Sequence, residues 1–66
     1  MEITANGKTY AIEQGATLAH FLKEKGFAPE KVVASLNEKV VPPEEYASIK
    51  LNDSDVLNIM SFVGGG

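Results

Sequence analysis

The chain closes on Phe62-Val63-Gly64-Gly65-Gly66, and here its residue types point most directly to chemistry. Glycine carries no side chain, so three in a row, fully extended, reach at most ~10 Å past the preceding residue and are no wider than the backbone. Such a stem can enter a narrow slot in another protein. An α-carboxylate on Gly66, with an ordinary pKa of about 3.3–3.7, is ionised at neutral pH and can attack the α-phosphorus of a nucleotide. The product is an acyl adenylate, an activated carbonyl open to a sulfur or nitrogen nucleophile. No phosphate-cradling glycine loop occurs elsewhere in the sequence, so the nucleotide has to be held by a partner. The competing reading is that glycines at an end simply fray, and Gly64, Gly65 and Gly66 are expected to be mobile without a partner.

The other chemistry-bearing side chains are weaker candidates. His20 is the only histidine, and the chain has no cysteine for it to activate. It falls opposite the apolar stripe of its helix and reads as a solvated side chain. Asn52-Asp53-Ser54-Asp55 resembles the start of a calcium loop, but the required glycine is missing and the twelfth position counted from Asn52 is Val63, not glutamate. No metal site is expected. Glu44-Glu45 reads as a solvated pair with no second carboxylate cluster to make a dyad. Nucleophile, base and oxyanion donor cannot be assembled from these residues, which argues against an independent enzyme. The net charge of −3 and the absence of arginine argue against nucleic-acid binding. No apolar run approaches the ~18 residues of a membrane span, and Met1-Glu2-Ile3 does not open like a secretion signal, so a cytoplasmic protein is expected.

The elements that must position the tail can be read in order. Ile3 and Thr4 favour a strand, and Asn6-Gly7 is a dipeptide that tolerates positive φ and so suits a tight hairpin turn. Thr9 to Glu13 is the expected return strand. Thr17 stands as a helix N-cap, Leu18, Phe21 and Leu22 form one apolar stripe, and Gly26 is placed to end the helix. Val32 to Leu36 is β-branched and apolar enough for a buried strand, turned by Asn37-Glu38. Lys39 to Val41 is a short edge strand that Pro42-Pro43 must end, and Glu44 to Ser48 is expected to make a helical turn. Asn52 to Asp55 is a turn that launches Val56 to Val63, the longest strand. One helix grouped against one mixed sheet is an α+β arrangement, the β-grasp or ubiquitin-like fold. A single domain over residues 1–63 with a tail at 64–66 is expected, because 66 residues are too few to form two cores.

Alternation along the last strand separates Leu57, Ile59, Ser61 and Val63 from Val56, Asn58, Met60 and Phe62. With Leu57 and Ile59 in the core, Met60 and Phe62 lie on the open face of the sheet. Together with Val63 at the base of the tail, they form the candidate partner interface. The opposite phase, or Phe62 folded onto the helix, is the competing reading.

Three stretches carry a family resemblance: Ala5-Asn6-Gly7-Lys8, then Leu36-Asn37-Glu38-Lys39-Val40-Val41-Pro42, then Asp53-Ser54-Asp55-Val56-Leu57 leading to Phe62-Val63-Gly64-Gly65-Gly66. In this order, over nearly the whole chain, they are similar to the ThiS family of bacterial sulfur carrier proteins. The chain departs from that family at Pro43, where many members carry a basic residue, and at Tyr46, where a tryptophan often stands. The resemblance implies that the Gly66 carboxylate is adenylated by a ThiF-like enzyme using ATP and magnesium. It is then converted to a thiocarboxylate with sulfur from a persulfide donor, and a ThiG-like thiazole synthase takes that sulfur into thiamin biosynthesis. The carrier itself would bind no cofactor. A carrier for another pathway, such as the small subunit of molybdopterin synthase, and a noncovalent interaction module remain the alternatives.

Overall fold

A computed structural model describes residues 1–61 of the chain. Five strands, β1 (Glu2–Ala5), β2 (Lys8–Ala11), β3 (Val32–Leu36), β4 (Lys39–Val41) and β5 (Val56–Ser61), form one sheet in the order β2-β1-β5-β3-β4. Strand β5 runs parallel to β1, and the other neighbours are antiparallel. The helix α1 (Leu18–Glu24) covers one face, and short 3-10 turns occupy Pro29–Lys31 and Pro43–Glu45. This is the expected β-grasp arrangement, with β4 at the edge where Pro42 and Pro43 follow it.

Local chemistry accounts for most of the boundaries. Asn6 and Gly7 both take positive φ, +53° and +80°, so the first hairpin closes in a two-residue turn. Pairing therefore resumes at Lys8, one residue earlier than the sequence suggests, and β2 ends at Ala11 rather than Glu13. Only one further backbone bond, from Ile12 N–H to the Met1 carbonyl at 2.8 Å, continues the hairpin. The helical turn expected at Glu44 likewise begins one residue earlier, because the ring of Pro43 fixes a φ suited to the first helical position. Strand β5 starts at Val56 as expected; its predicted last residues, Phe62 and Val63, lie outside the described residues.

Every N–H of the first turn of α1 has a partner. The Thr17 hydroxyl accepts from His20 N–H at 3.2 Å. The carbonyls of Ile49 and Tyr46 accept from Leu18 and Ala19 N–H, each at 2.9 Å. The cap thus fastens the helix start to the segment that leads toward β5. At the other end, Gly26 takes a φ of +86° and donates to the Lys23 carbonyl, while Phe27 donates to that of Leu22, a Schellman ending.

Leu18, Phe21 and Leu22 pack against Ile3, Ala5, Val32, Ala34, Leu57 and Ile59 on the covered face of the sheet. Tyr10 meets Phe21 edge to face at 5.4 Å, and the Lys25 ammonium lies 5.0 Å from the Tyr10 ring centroid. Tyr46 closes one side of the core with only 2% of its surface exposed. Its hydroxyl donates to the Val32 carbonyl and accepts from Ala34 N–H, both at 3.2 Å. Among the described residues no helix is long and apolar enough to cross a membrane.

Because both partners of the Tyr46 hydroxyl are buried backbone groups of β3, Tyr46→Phe should lower unfolding stability by about 1–3 kcal/mol without changing the fold. The shift of the urea midpoint measures this, and a loss under about 0.5 kcal/mol would show that the hydroxyl contributes little.

Candidate functional site

Strand β5 is the middle strand of the sheet, paired with β1 on one side and β3 on the other. Its phase follows the expected alternation. Leu57 and Ile59 are buried at 0% and 6% exposure, whereas Met60 is 71% exposed. Phe62, Val63, Gly64, Gly65 and Gly66 lie outside the described residues.

Met60 has company that the sequence reading did not assign. Its direct cross-strand partner is Val33 of β3, itself 41% exposed. Val40 of β4 pairs with Ser35, which pairs in turn with Asn58 of β5. Val40 and Val56, both exposed, therefore share the face opposite the helix with Met60 and Val33. Strands β3 and β5 present only uncharged side chains on this face: Val33, Ser35, Val56, Asn58 and Met60. An uncharged, apolar-centred sheet face next to the strand that leads to the tail suits protein contact rather than solvent alone. The signal for it was present, since Val33 and Val40 sit out of phase with the buried Val32, Ala34 and Val41; only the register shows that they converge with Met60.

Two asparagines hold β5 in place, and the sequence reading assigned them only to turns. Asn37, at φ +51° in the β3–β4 turn, donates its backbone N–H to the Val56 carbonyl at 2.7 Å. Its side-chain oxygen accepts from Val56 N–H at 2.9 Å, and its Nδ2 donates to Asp55 Oδ1 at 3.0 Å. Asn6, from the β1–β2 turn, bonds through its side chain to both backbone groups of Ile59, at 2.8 and 3.1 Å. Each asparagine thereby continues a ladder past the point where its own strand has turned away.

The turn at Asn52-Asp53-Ser54-Asp55 uses its carboxylates for backbone bonds. Asp53 Oδ1 accepts from Glu2 N–H at 2.8 Å, and Asp55 Oδ2 accepts from Asn52 N–H at 2.7 Å. Both serve to shape the start of β5. His20 is exposed, as expected, and lies 3.9 Å from Glu24 one helical turn on. Glu44 and Glu45 are exposed on the short turn after Pro42. Tyr46 is a core side chain in this protein, anchored to β3 as described above.

With the site placed, the chain can be compared with known proteins. Along all of its length it is 39% identical to part of a thiazole synthase from Magnetococcus marinus, and 35% identical to part of another from Paramagnetospirillum magneticum. It spans about a fifth of the length of these two relatives. It is also 32% identical to the uncharacterized protein ycf40 of Pyropia yezoensis, covering 93% of that protein. The crystal structure of the thiamine biosynthesis protein (ThiS) from Geobacter metallireducens matches over the whole of both chains, with a TM-score of 0.83 and 28% identity. A solution structure of a thiamine biosynthesis protein from the same organism gives 0.80. The model of the ThiS family matches residues 1–66, so the chain belongs to the ThiS family.

Proposed function

We propose that this protein is a sulfur carrier of thiamin synthesis, a protein co-substrate whose reacting group is the carboxylate of Gly66. The observation that carries the reading is the match of residues 1–66 to the ThiS family. The position of β5 supports it. A strand bonded on both sides is a firm base for a segment that must be presented to another protein.

The chemistry follows from the carboxylate. In the site of a ThiF-like enzyme, a carboxylate oxygen attacks the α-phosphorus of magnesium-bound ATP and pyrophosphate leaves, giving a glycyl adenylate. The terminal sulfur of a protein persulfide then attacks the carbonyl carbon and AMP leaves. A second thiol cleaves the resulting acyl disulfide and releases the thiocarboxylate, which carries the sulfur as a nucleophile. A ThiG-like thiazole synthase is the acceptor's enzyme. The two thiazole synthases that contain a segment similar to this chain support that pairing. The carrier's own contribution is the slim stem of Gly64 and Gly65 and a partner interface to which Met60, Phe62 and Val63 contribute.

Two substitutions test these roles. Gly65→Val adds a β-branched side chain to the stem and should lower the adenylation rate on the order of 100-fold, read as pyrophosphate release, with an unchanged circular dichroism spectrum. Adenylation at the normal rate would contradict the threading role. Met60→Asp places a charge on the open face, where it should change stability by no more than about 0.5 kcal/mol. It should raise the KM of the activating enzyme for the carrier about tenfold or more, because truncated or charged contacts at an interface centre act on binding. An unchanged KM would place the docking surface elsewhere.

A further inference from the structure

The parallel pairing of β1 with β5 is short. Only Thr4 with Val56 and Ala5 with Leu57 face each other as partners, and the backbone ladder ends where Asn6 N–H donates to the Leu57 carbonyl at 2.9 Å. In a continuing parallel strand, the Asn6 carbonyl and the N–H of residue 8 would supply the next rungs to Ile59. Here the backbone turns away, because Asn6 and Gly7 both adopt positive φ to close the hairpin.

The Asn6 side chain replaces those rungs. Its Oδ1 accepts from Ile59 N–H at 2.8 Å and its Nδ2 donates to the Ile59 carbonyl at 3.1 Å. A primary amide is the one side-chain group of this length that offers an acceptor and a donor in the arrangement of a peptide. The residue must also tolerate the left-handed backbone of the turn, which asparagine does far better than most. Glycine would take the turn without the bonds, and aspartate at neutral pH would keep the acceptor but lose the donor. Two demands therefore meet at one position.

Ile59 lies three residues before Phe62. On the β1 side, no other group among the described residues bonds to β5 after Leu57. On the β3 side the ladder runs on to Ser61, paired with Val32. The end of β5 is thus held by a strand on one side and by a single side chain on the other.

We propose that Asn6 is a positioning residue for the carrier reaction: its amide clamps β5 at Ile59 and so holds the Ser61 end of the strand in the orientation that the activating enzyme meets. This rests on the carrier function proposed above. Loosening the clamp spreads the Ser61 end of β5 over more orientations, and the apparent affinity for the partner falls with the fraction that remains competent to bind. The step after binding, which happens at Gly66, is untouched.

The test uses the full chain with Asn6→Gly, which retains the positive-φ turn and deletes both bonds, and with Asn6→Asp. For Asn6→Gly, amide hydrogen exchange at Ile59 should rise about tenfold relative to Leu22 of the helix, the loss of two neutral hydrogen bonds at the low end of their usual worth. With a ThiF-family enzyme and magnesium-ATP, KM for the carrier should rise about tenfold while kcat stays within about twofold. Asn6→Asp keeps the acceptor for Ile59 N–H and loses the donor, so at neutral pH its exchange at Ile59 should lie between wild type and Asn6→Gly, and it should approach wild-type protection at acidic pH, where the protonated acid can again donate to the Ile59 carbonyl. A merely structural role would change exchange at Ile59 but leave KM unmoved at temperatures well below unfolding. Unchanged exchange at Ile59 overturns the clamp, and faster exchange with an unchanged KM overturns its positioning role. If the wild-type chain is not adenylated at all, the carrier reading fails and the positioning role with it, while the exchange data still decide whether the clamp exists.

Discussion

The structure depends on where its last described strand sits. Strand β5 lies between β1 and β3, so the sheet has no continuous middle until this strand has paired with β3, 21 to 29 positions earlier in the chain, and with β1, 52 positions earlier. Leu57 and Ile59 complete the core beneath α1, and without them Ile3, Ala5 and Ala34 would face a gap. Fold and tail are thereby coupled in one element. A strand that completes the core cannot drift, and whatever follows it starts from a defined place.

The turns on either side serve that strand as well as their own hairpins. Asn37 turns β3 into β4 and holds Val56 at the start of β5; Asn6 turns β1 into β2 and holds Ile59 near its end. Asp55 ties the first of these to the loop that launches the strand, through Asn37 Nδ2 and Asn52 N–H. Asp55 is the buried residue of this network, and a buried polar group is costly unless bonded; among the described residues every buried side-chain polar atom has a partner. The network binds the strand at both ends while leaving its outward side chains, Val56 and Met60 among them, free of internal duties.

Elements governed by local chemistry were legible in the sequence. Asn6-Gly7, the Thr17 cap, the Leu18, Phe21 and Leu22 stripe and the Gly26 ending all rest on rules that act within a few residues, and each stands where those rules place it. The burial of Leu57 and Ile59 against the exposure of Met60 follows from period-two alternation once one face is covered. What pairs with what was less legible. Nothing local says that β5 lies in the middle of the sheet and parallel to β1, that Val33 sits opposite Met60, or that the Tyr46 hydroxyl reaches Val32 and Ala34. The ladder-extending bonds of Asn6 and Asn37 are invisible for the same reason, since a turn-forming asparagine reads the same whether or not its side chain finds a distant strand. Membership of the ThiS family, by contrast, was visible in the order of three short stretches, Ala5 to Lys8, Leu36 to Pro42 and the run from Asp53 to the glycines.

The central claim is that Gly66 carries sulfur. The direct measurement is the intact mass of the protein after incubation with a ThiF-family adenylating enzyme, magnesium-ATP, a persulfide donor and a reducing thiol, with fragmentation to locate any change. The account predicts a gain equal to the exchange of one oxygen for one sulfur, confined to the Gly66 carboxyl group. An unchanged mass, with the same enzyme shown to modify another carrier, would contradict it and leave the open face around Met60 as the working part of the molecule.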